Sequence, residues 1–573
     1  MTDSAETIAA ARIESERPHL EKLEFNQPRR GNPAQADPSQ ARLDRTKLSP
    51  ADVDPADANQ ADASVADAGQ TGQGRPELSQ ANDGQANDAR ANDGRAKDGR
   101  ANDGQDDGAG YAGLDPARLA VCLAVLAEVE RLPVEHPDAV RVRRATAGLF
   151  KTAKMQRRRD RRDAVLAADQ AVTAATATGA PGRIDDETAG IPLASNARGA
   201  TAGVLQQARG CYVCKQRFTV VDAFYHQLCP SCAAANHAKR DARTDLTGRR
   251  ALLTGGRAKI GMYIALRLLR DGADLTITTR FPHDAVRRFT AMPDSGDWLH
   301  RLRVVGIDLR DPAQVVALAD SVAAHGPLDI LINNAAQTVR RTPGSYAAIA
   351  AAETGELPAG PLPELEYFGT AGASPAAALT TGTPDLTAQQ LTEMALTARS
   401  VAIDAGGLVP DRTATNSWSD KVHEVDALEL LEVQLCNVTA PFVLVSRLRS
   451  AMLRSPFPRR YVVNVSAMEG IFTRGYKGPG HPHTNMAKAA LNMLTRTSAV
   501  DMFADGILMT SVDTGWITDE RPHPTKMRLH EEGFHAPLDL VDGAARVYDP
   551  IVRGEGGEDL YGCFLKDYAP TPW

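Results

Sequence analysis

Little in this sequence suits a protein held by disulfides, embedded in a membrane or coating nucleic acid. Seven cysteines in 573 residues are too few to staple a chain of this size. Four of them fall between Cys211 and Cys232, so a reducing compartment and a metal site are expected. No apolar run reaches the roughly 18 residues a membrane span needs. The first residues are charged and lack the apolar core of a secretory signal, so no membrane role is expected and the location is read as cytoplasmic. A balance of 65 basic against 72 acidic residues, net −7, argues against a general nucleic-acid coat. Aromatics amount to only 5%, and they are scarcest early in the chain, so a sizeable part is not expected to fold.

That part is residues 1–110, dominated by Ala, Asp, Asn, Gln, Gly and Arg. Between Ala81 and Gln105 a five-residue unit recurs as ANDGR, AKDGR and ANDGQ, too short for a solenoid repeat. It offers almost nothing to bury against about 1–2 kcal/mol per residue of backbone ordering entropy, and predicts disorder. A flexible tether for a protein partner is the alternative. Residues 111–176 change character. DPARLAVCLAVLAEVERL starts with Asp-Pro and carries helical periodicity, and a second helical stretch follows from about Asp138 to Thr176, together a small helical module. The run Arg157, Arg158, Arg159, Arg161 and Arg162 is interrupted by Asp160 and Asp163 and reads as a solvated helix face rather than a phosphate-binding patch. Residues 177–206, rich in Ala, Gly and Thr, read as a linker.

Residues 207–245 hold the most specific local signal. Cys211 and Cys214 form one CxxC pair, and Cys229 and Cys232 form another fourteen residues later. Four thiolates so paired suit the tetrahedral preference of Zn²⁺, with metal–sulfur distances of about 2.3 Å. RFTVVDAFY between the pairs supplies β-formers, predicting a structural zinc ribbon. A redox CxxC couple is the competing reading. His226 and His237 are spare donors that four cysteines make unnecessary.

From Leu246 the pattern alternates buried strands with helices. ALLT is a strand, GGRAKIG a tight turn, and MYIALRLLRDG a helix whose amino terminus would face a pyrophosphate. This stretch resembles the short-chain dehydrogenase/reductase family, whose coenzyme loop reads TGxxxGxG. Thr254, Gly255, Ile260 and Gly261 match, with Lys259 at the middle glycine position. Further matches are Asp308 in VVGIDLRD, Asn333-Asn334-Ala335-Ala336 in DILINNAA, Asn437 in CNVTAPF, and Gly515 and Thr518 in DTGWITDE, where Thr514 replaces proline. The resemblance spans 246–573 and implies a doubly wound parallel α/β sheet of Rossmann type. Arg280 follows Thr279 at the end of TITTR, where an acid would bind a ribose 2′-hydroxyl. A guanidinium there favours NADP(H), with Arg257 as a second phosphate partner.

The resemblance also implies a catalytic Ser, Tyr, Lys and Asn. Lys488 in HTNMAKAALNML and Asn437 are in place, but Thr484 stands at the tyrosine position and Ala467 at the serine position, with Ser466 one residue early. The chain is therefore similar to the branch that reduces carbon–carbon double bonds, where a more distant residue gives the proton. Tyr476 and His481 are the candidates. The implied activity is an NADP(H)-dependent oxidoreductase acting on a small molecule with a carbonyl or activated double bond, with a homo-oligomer through this domain as a further expectation. The alternatives are a catalytically silent NADP(H) sensor and a zinc-ribbon adaptor or scaffold. An insertion at about 345–418 is expected near the cleft, as a lid, a partner surface or an unstructured expansion.

Overall fold

The computed structural model describes residues 113–183, 193–341, 346–368, 411, 413–475, 477–518 and 520–573. The expectation for residues 1–110 and the position of Tyr476 lie outside them.

The described chain opens with two helices, Pro116–Arg131 and Pro137–Ala174. Each starts on proline, whose missing N–H costs nothing in a first turn, and Asp115 caps the first by accepting the Ala117 N–H. The arginines 157–159, 161 and 162 are exposed along the second helix, as expected for a solvated face. Its last turns dock on strand β1 (Thr201–Gly210). There the buried Asp169 carboxylate accepts the N–H groups of Gln206 and Gln207 at 2.7 and 3.1 Å. Those residues lie where the pairing of β1 with the antiparallel β2 (Arg217–Asp222) shifts register. Asp169 thus satisfies donors that the irregular ladder leaves over.

Two expectations are corrected in this region. The stretch 177–206 is not simply a linker: β1 begins at Thr201, Thr176 and Thr178 are buried, and the Arg183 guanidinium donates to the carbonyls of Ala536 and Leu538 at 2.7 and 2.5 Å. Small side chains that look featureless in sequence are what allow this close approach. The cysteine module is also not built of strands alone. Only β2 lies between the two CxxC pairs, β1 precedes the first, and the second pair opens the helix Pro230–Arg240 with Cys229 at its N-cap.

The remainder is a nine-stranded sheet in the order β11-β10-β9-β8-β6-β3-β4-β5-β7. Its members are β3 (Arg250–Leu253), β4 (Asp274–Thr279), β5 (Leu302–Gly306), β6 (Ile330–Asn333), β7 (Glu364–Tyr367), β8 (Arg460–Ser466), β9 (Ile507–Asp513), β10 (Phe564–Lys566) and β11 (Ala569–Thr571). All neighbours pair in parallel except β10 and β11. Alternate residues of each strand face opposite helical layers: Leu253 packs with Ile264, Leu268 and Val547 on one side, and Leu252 with Leu318, Leu444 and Leu448 on the other. Helices on both faces explain why these strands are apolar without alternation. The continuous helical run Ala427–Leu453 is long and apolar enough to cross a membrane by length and composition alone. Here Leu444, Leu448 and Met452 are buried in the second layer, while Leu428, Leu431, Phe442 and Leu453 are exposed.

Chain order reverses between β3 and β6, so a crevice opens at the carboxyl ends of these two strands. The insertion reaches toward it. Its described residues include the helix Ala347–Ala352 and β7, which joins β5 as an edge strand.

Candidate functional site

A cleft of about 1970 Å³ occupies the crevice, roughly twice the upper end of what a drug-sized molecule fills and enough for a dinucleotide beside a second molecule. At one end lies the turn between β3 and the helix Lys259–Arg270. The Thr254 hydroxyl oxygen accepts the N–H groups of Asn334 and Ala335, both at 3.0 Å. The Asn334 amide in turn donates to the carbonyls of Thr254 and Gly255 at 3.0 and 3.1 Å. The ends of β3 and β6 are thereby locked together. Gly255 has φ +72°, and a Cβ there would sit 3.0 Å from the Ala335 Cα. A Cβ on Gly261 would lie 2.0 Å from the Gly255 carbonyl oxygen, so only glycine fits. Lys259, at the middle glycine position of the loop, has φ +50°, a conformation that costs a side-chain-bearing residue about 1 kcal/mol or more. Its ammonium lies 3.5 Å from Glu520. No side chain caps this helix, so its first amides face the cleft as an anion site. The close-packed glycine cradle fits a pyrophosphate.

Farther along this end, Arg280 donates to the Tyr346 hydroxyl at 3.2 Å and lies 4.9 Å over its ring. Tyr346 belongs to the insertion, which roofs the guanidinium. Arg257 also lines the cleft, but its guanidinium is buried and ion-paired with Asp284 at 2.6 Å. That charge is already met, so a role as second phosphate partner must compete with an existing carboxylate. Asp308 is similarly engaged. Burial opposes its ionisation, but Arg310 at 2.6 Å wins and holds the carboxyl below its ordinary range.

At the other end Lys488, from the helix Pro482–Ala504, is buried, and its ammonium donates to the Val465 carbonyl at 2.9 Å. Burial pulls its pKa down to about 8, against the pull of Glu469 and Cys436. Asn437 sits in a π-helical turn, Leu435–Thr439, a local widening common at functional sites. Its side-chain oxygen accepts the Gln337 N–H at 2.7 Å and its amide donates to the Gln337 carbonyl at 2.9 Å. Both polar atoms of the side chain thus brace the segment after β6. Thr484 is buried, with its hydroxyl 3.5 Å from the Thr338 carbonyl. Ser466 and Ala467 both border the cleft, and the buried Ser466 hydroxyl has no hydrogen-bond partner among the described residues.

His481 stands at the N-cap with φ +42°, and its ring stacks on Trp418 at 4.1 Å. Nδ1 lies 2.9 Å from the Trp418 carbonyl, which can only accept, so in the neutral ring Nδ1 carries the proton and Nε2 is left as an acceptor. Burial lowers the pKa. A neutral His481 therefore takes a proton more readily than it gives one.

Two cleft residues escaped sequence reasoning. Asp513, the last residue of β9, is paired in register with Ser466 of β8. Burial, reinforced by Asp567 and Glu469, pushes its pKa up to about 7, and its carboxylate accepts the Gly515 N–H at 3.2 Å. Its place as the first residue of DTGWIT, at a strand carboxyl end, was a usable signal. The other is Tyr212, which borders the cleft from the cysteine module; nothing local in the sequence points there.

The four cysteine sulfurs lie within 4.8 Å of one another. Sulfurs on a tetrahedral zinc stand about 3.8 Å apart by the usual bond length, so a small contraction would close such a site. Cys229 donates its N–H to the Cys211 sulfur at 3.3 Å, and Lys215, just past the first pair, has φ +64°. The donor set suits a soft, tetrahedral metal.

Comparison with known proteins agrees with this geometry. A profile described as short chain dehydrogenase matches residues 249–353. An uncharacterized protein of Acanthamoeba polyphaga mimivirus is 30% identical over 361 residues, covering 60% of this chain and 71% of its own. A probable oxidoreductase of Streptomyces antibioticus is 42% identical over 94 residues, covering 16% of this chain but only 30% of that protein. A solved structure, the Pseudomonas aeruginosa RhlG/NADP active-site complex, aligns over 56% of this chain and 95% of its own at 19% identity and a TM-score of 0.36. The profile match marks residues 249–353, which hold the glycine cradle at the switch point of the parallel sheet, as a short-chain dehydrogenase segment.

Proposed function

We propose that the chain is an NADP(H)-dependent oxidoreductase that reduces a carbonyl or an activated carbon–carbon double bond of a small molecule, with a non-standard proton donor. The observation that carries this reading is Lys488, a buried ammonium held at the inner end of a cleft whose other end is a glycine cradle beside Arg280. Bound there, the coenzyme supplies a hydride from its nicotinamide. Arg280 selects the 2′-phosphate, while Thr254, Gly255, Ile260, Gly261 and Lys259 hold the pyrophosphate. Asn334, Ala335, Asp308, Gly515 and Thr518 line the remainder, and Arg257 supports the cradle through Asp284. Lys488 orients the nicotinamide ribose. Asn437, its side chain committed to Gln337, acts through its main chain in the widened turn.

Proton supply falls to a group other than Thr484. Asp513 suits it best, because a carboxyl titrating at about 7 is part-protonated at neutral pH, where a general acid is most effective. His481 would then accept or relay a proton, and Tyr476 remains a candidate outside the described residues. The cysteine cluster holds a structural zinc, and the free thiols suit a reducing, cytoplasmic setting. A homo-oligomer through the sheet domain and a protein partner for the amino-terminal region complete the reading.

The replacements at Thr484 and Ala467 favour a second reading, a nucleotide sensor that binds NADP(H) without turnover. Following NADPH absorbance with the full chain against enones, enoyl thioesters and quinones separates the two. Oxidation that disappears in Lys488→Ala supports the enzyme. Tight NADPH binding without oxidation across the panel supports the sensor.

A further inference from the structure

We infer that the four-cysteine module is one wall of the reaction cleft, and that Tyr212, held between two of its sulfurs, is a positioning residue whose grip on the segment 513–518 depends on metal in the cluster. The link to catalysis rests on the proposed NADP(H) site; the mechanical link stands by itself.

Tyr212 lies inside the first knuckle, directly after Cys211 and two residues before Cys214. Its N–H donates to the Gln227 carbonyl at 2.8 Å, which fastens it to the approach to Cys229. Its hydroxyl oxygen accepts the Trp516 N–H at 2.9 Å and stands 3.6 Å from where a Gly515 Cβ would be. The turn after β9 therefore has a main-chain donor satisfied by a residue of the cysteine module, 304 positions earlier. The attachment is broad. Ile517 and Leu538 share one apolar cluster with Cys211, Leu228 and Cys229, against which Ile260 of the coenzyme-loop helix also packs. Polar bonds surround it: Tyr225 to Asp542 at 2.6 Å, Arg240 to Asp539 at 2.5 Å, Lys239 to Asp549 at 2.5 Å and Arg546 to Asn236 at 3.0 Å.

A two-stranded hairpin with one short helix has too small a core to be rigid alone. Cross-linking its four sulfurs would fix the knuckle that carries Tyr212, and stripping them would release it while the sheet behind stays folded. Tyr212 is thereby a device that makes the cleft wall depend on metal.

The test is amide exchange of the peptide containing residues 513–518 in the full chain, loaded with Zn²⁺, stripped by a chelator under reducing conditions, or carrying Tyr212→Phe, with NADPH affinity measured in parallel. Stripping is expected to speed exchange at 513–518 at least about tenfold and to weaken NADPH by about 10–100-fold, as loss of a supporting shell does. Tyr212→Phe, which keeps the ring and the metal, is expected to give about a fivefold increase at Trp516 alone, the effect of one hydrogen bond. Unchanged exchange in both states overturns the proposal, as does a cluster that oxidises to a disulfide without binding Zn²⁺. If the loaded protein binds no NADPH, the proposed function fails, and the exchange comparison still decides the mechanical link.

Discussion

The two ends of the cleft were built under different constraints. At the coenzyme end the constraint is main-chain geometry: Lys259 adopts a φ of +50°, in the region glycine favours, and Gly261 has no room for a Cβ, which would lie 2.0 Å from a carbonyl oxygen. At the reaction end the resemblance implies that functional groups are exchanged. Lys488 still reaches the Val465 carbonyl, yet the tyrosine position holds a buried threonine facing Thr338. Binding a dinucleotide demands main-chain geometry, which few sequences satisfy. Moving a proton demands only an acid of suitable pKa within reach, which several positions can supply.

That contrast can be tested by substitution. Lys488→Ala should have the largest effect, lowering turnover at least about a thousandfold with the fold intact by circular dichroism, since it removes the ribose anchor. Asp513→Asn should lower kcat/KM by about 10²–10⁴-fold if the carboxyl is the acid. In the unsubstituted protein kcat/KM should fall as pH rises above about 7, and the variant should lose that limb. The same carboxyl carries a stability signature. A folded-state pKa raised above the unfolded one contributes stability in full below the ordinary carboxylate range and loses it as pH climbs through about 7. Chemical denaturation from pH 4 to 8 should therefore show a decline that Asp513→Asn flattens.

Arg280→Ala should cost NADPH affinity about 10–100-fold, the worth of a charge-assisted contact, and leave NADH nearly unaffected. Gly261→Ala should destabilise the cradle by about 1–3 kcal/mol and weaken both coenzymes alike, which separates shape from charge. The smallest effect belongs to Thr484→Ala: less than about twofold on kcat, because a single neutral hydrogen bond at its length limit is worth little. A large loss there would return the acid role to the family position and undo the contrast.

The same distinction governs what could be read from the sequence. The doubly wound sheet and the glycine turn were legible because each rests on local spacing that the backbone enforces. The hairpin strand β1 was hidden in a small-residue stretch, because its stability comes from pairing with β2 and from Asp169, 37 and 38 positions before the amides it accepts. The Arg257–Asp284 pair was also hidden, because it forms with a helix whose approach only the folded sheet defines. Tyr212 was beyond reach, since no local pattern announces a contact across 304 positions.

Strand β7 carries one more implication. By bonding along β5 it ties down the far side of the segment that starts at Tyr346, so the aromatic ceiling above Arg280 is anchored by main-chain bonds and not left to drift. Excising that edge strand would preserve every family motif and still expose the guanidinium to bulk water, blurring the choice between the two dinucleotides. On the proposed reading, coenzyme preference would belong to the segment that starts at Tyr346 as much as to Arg280.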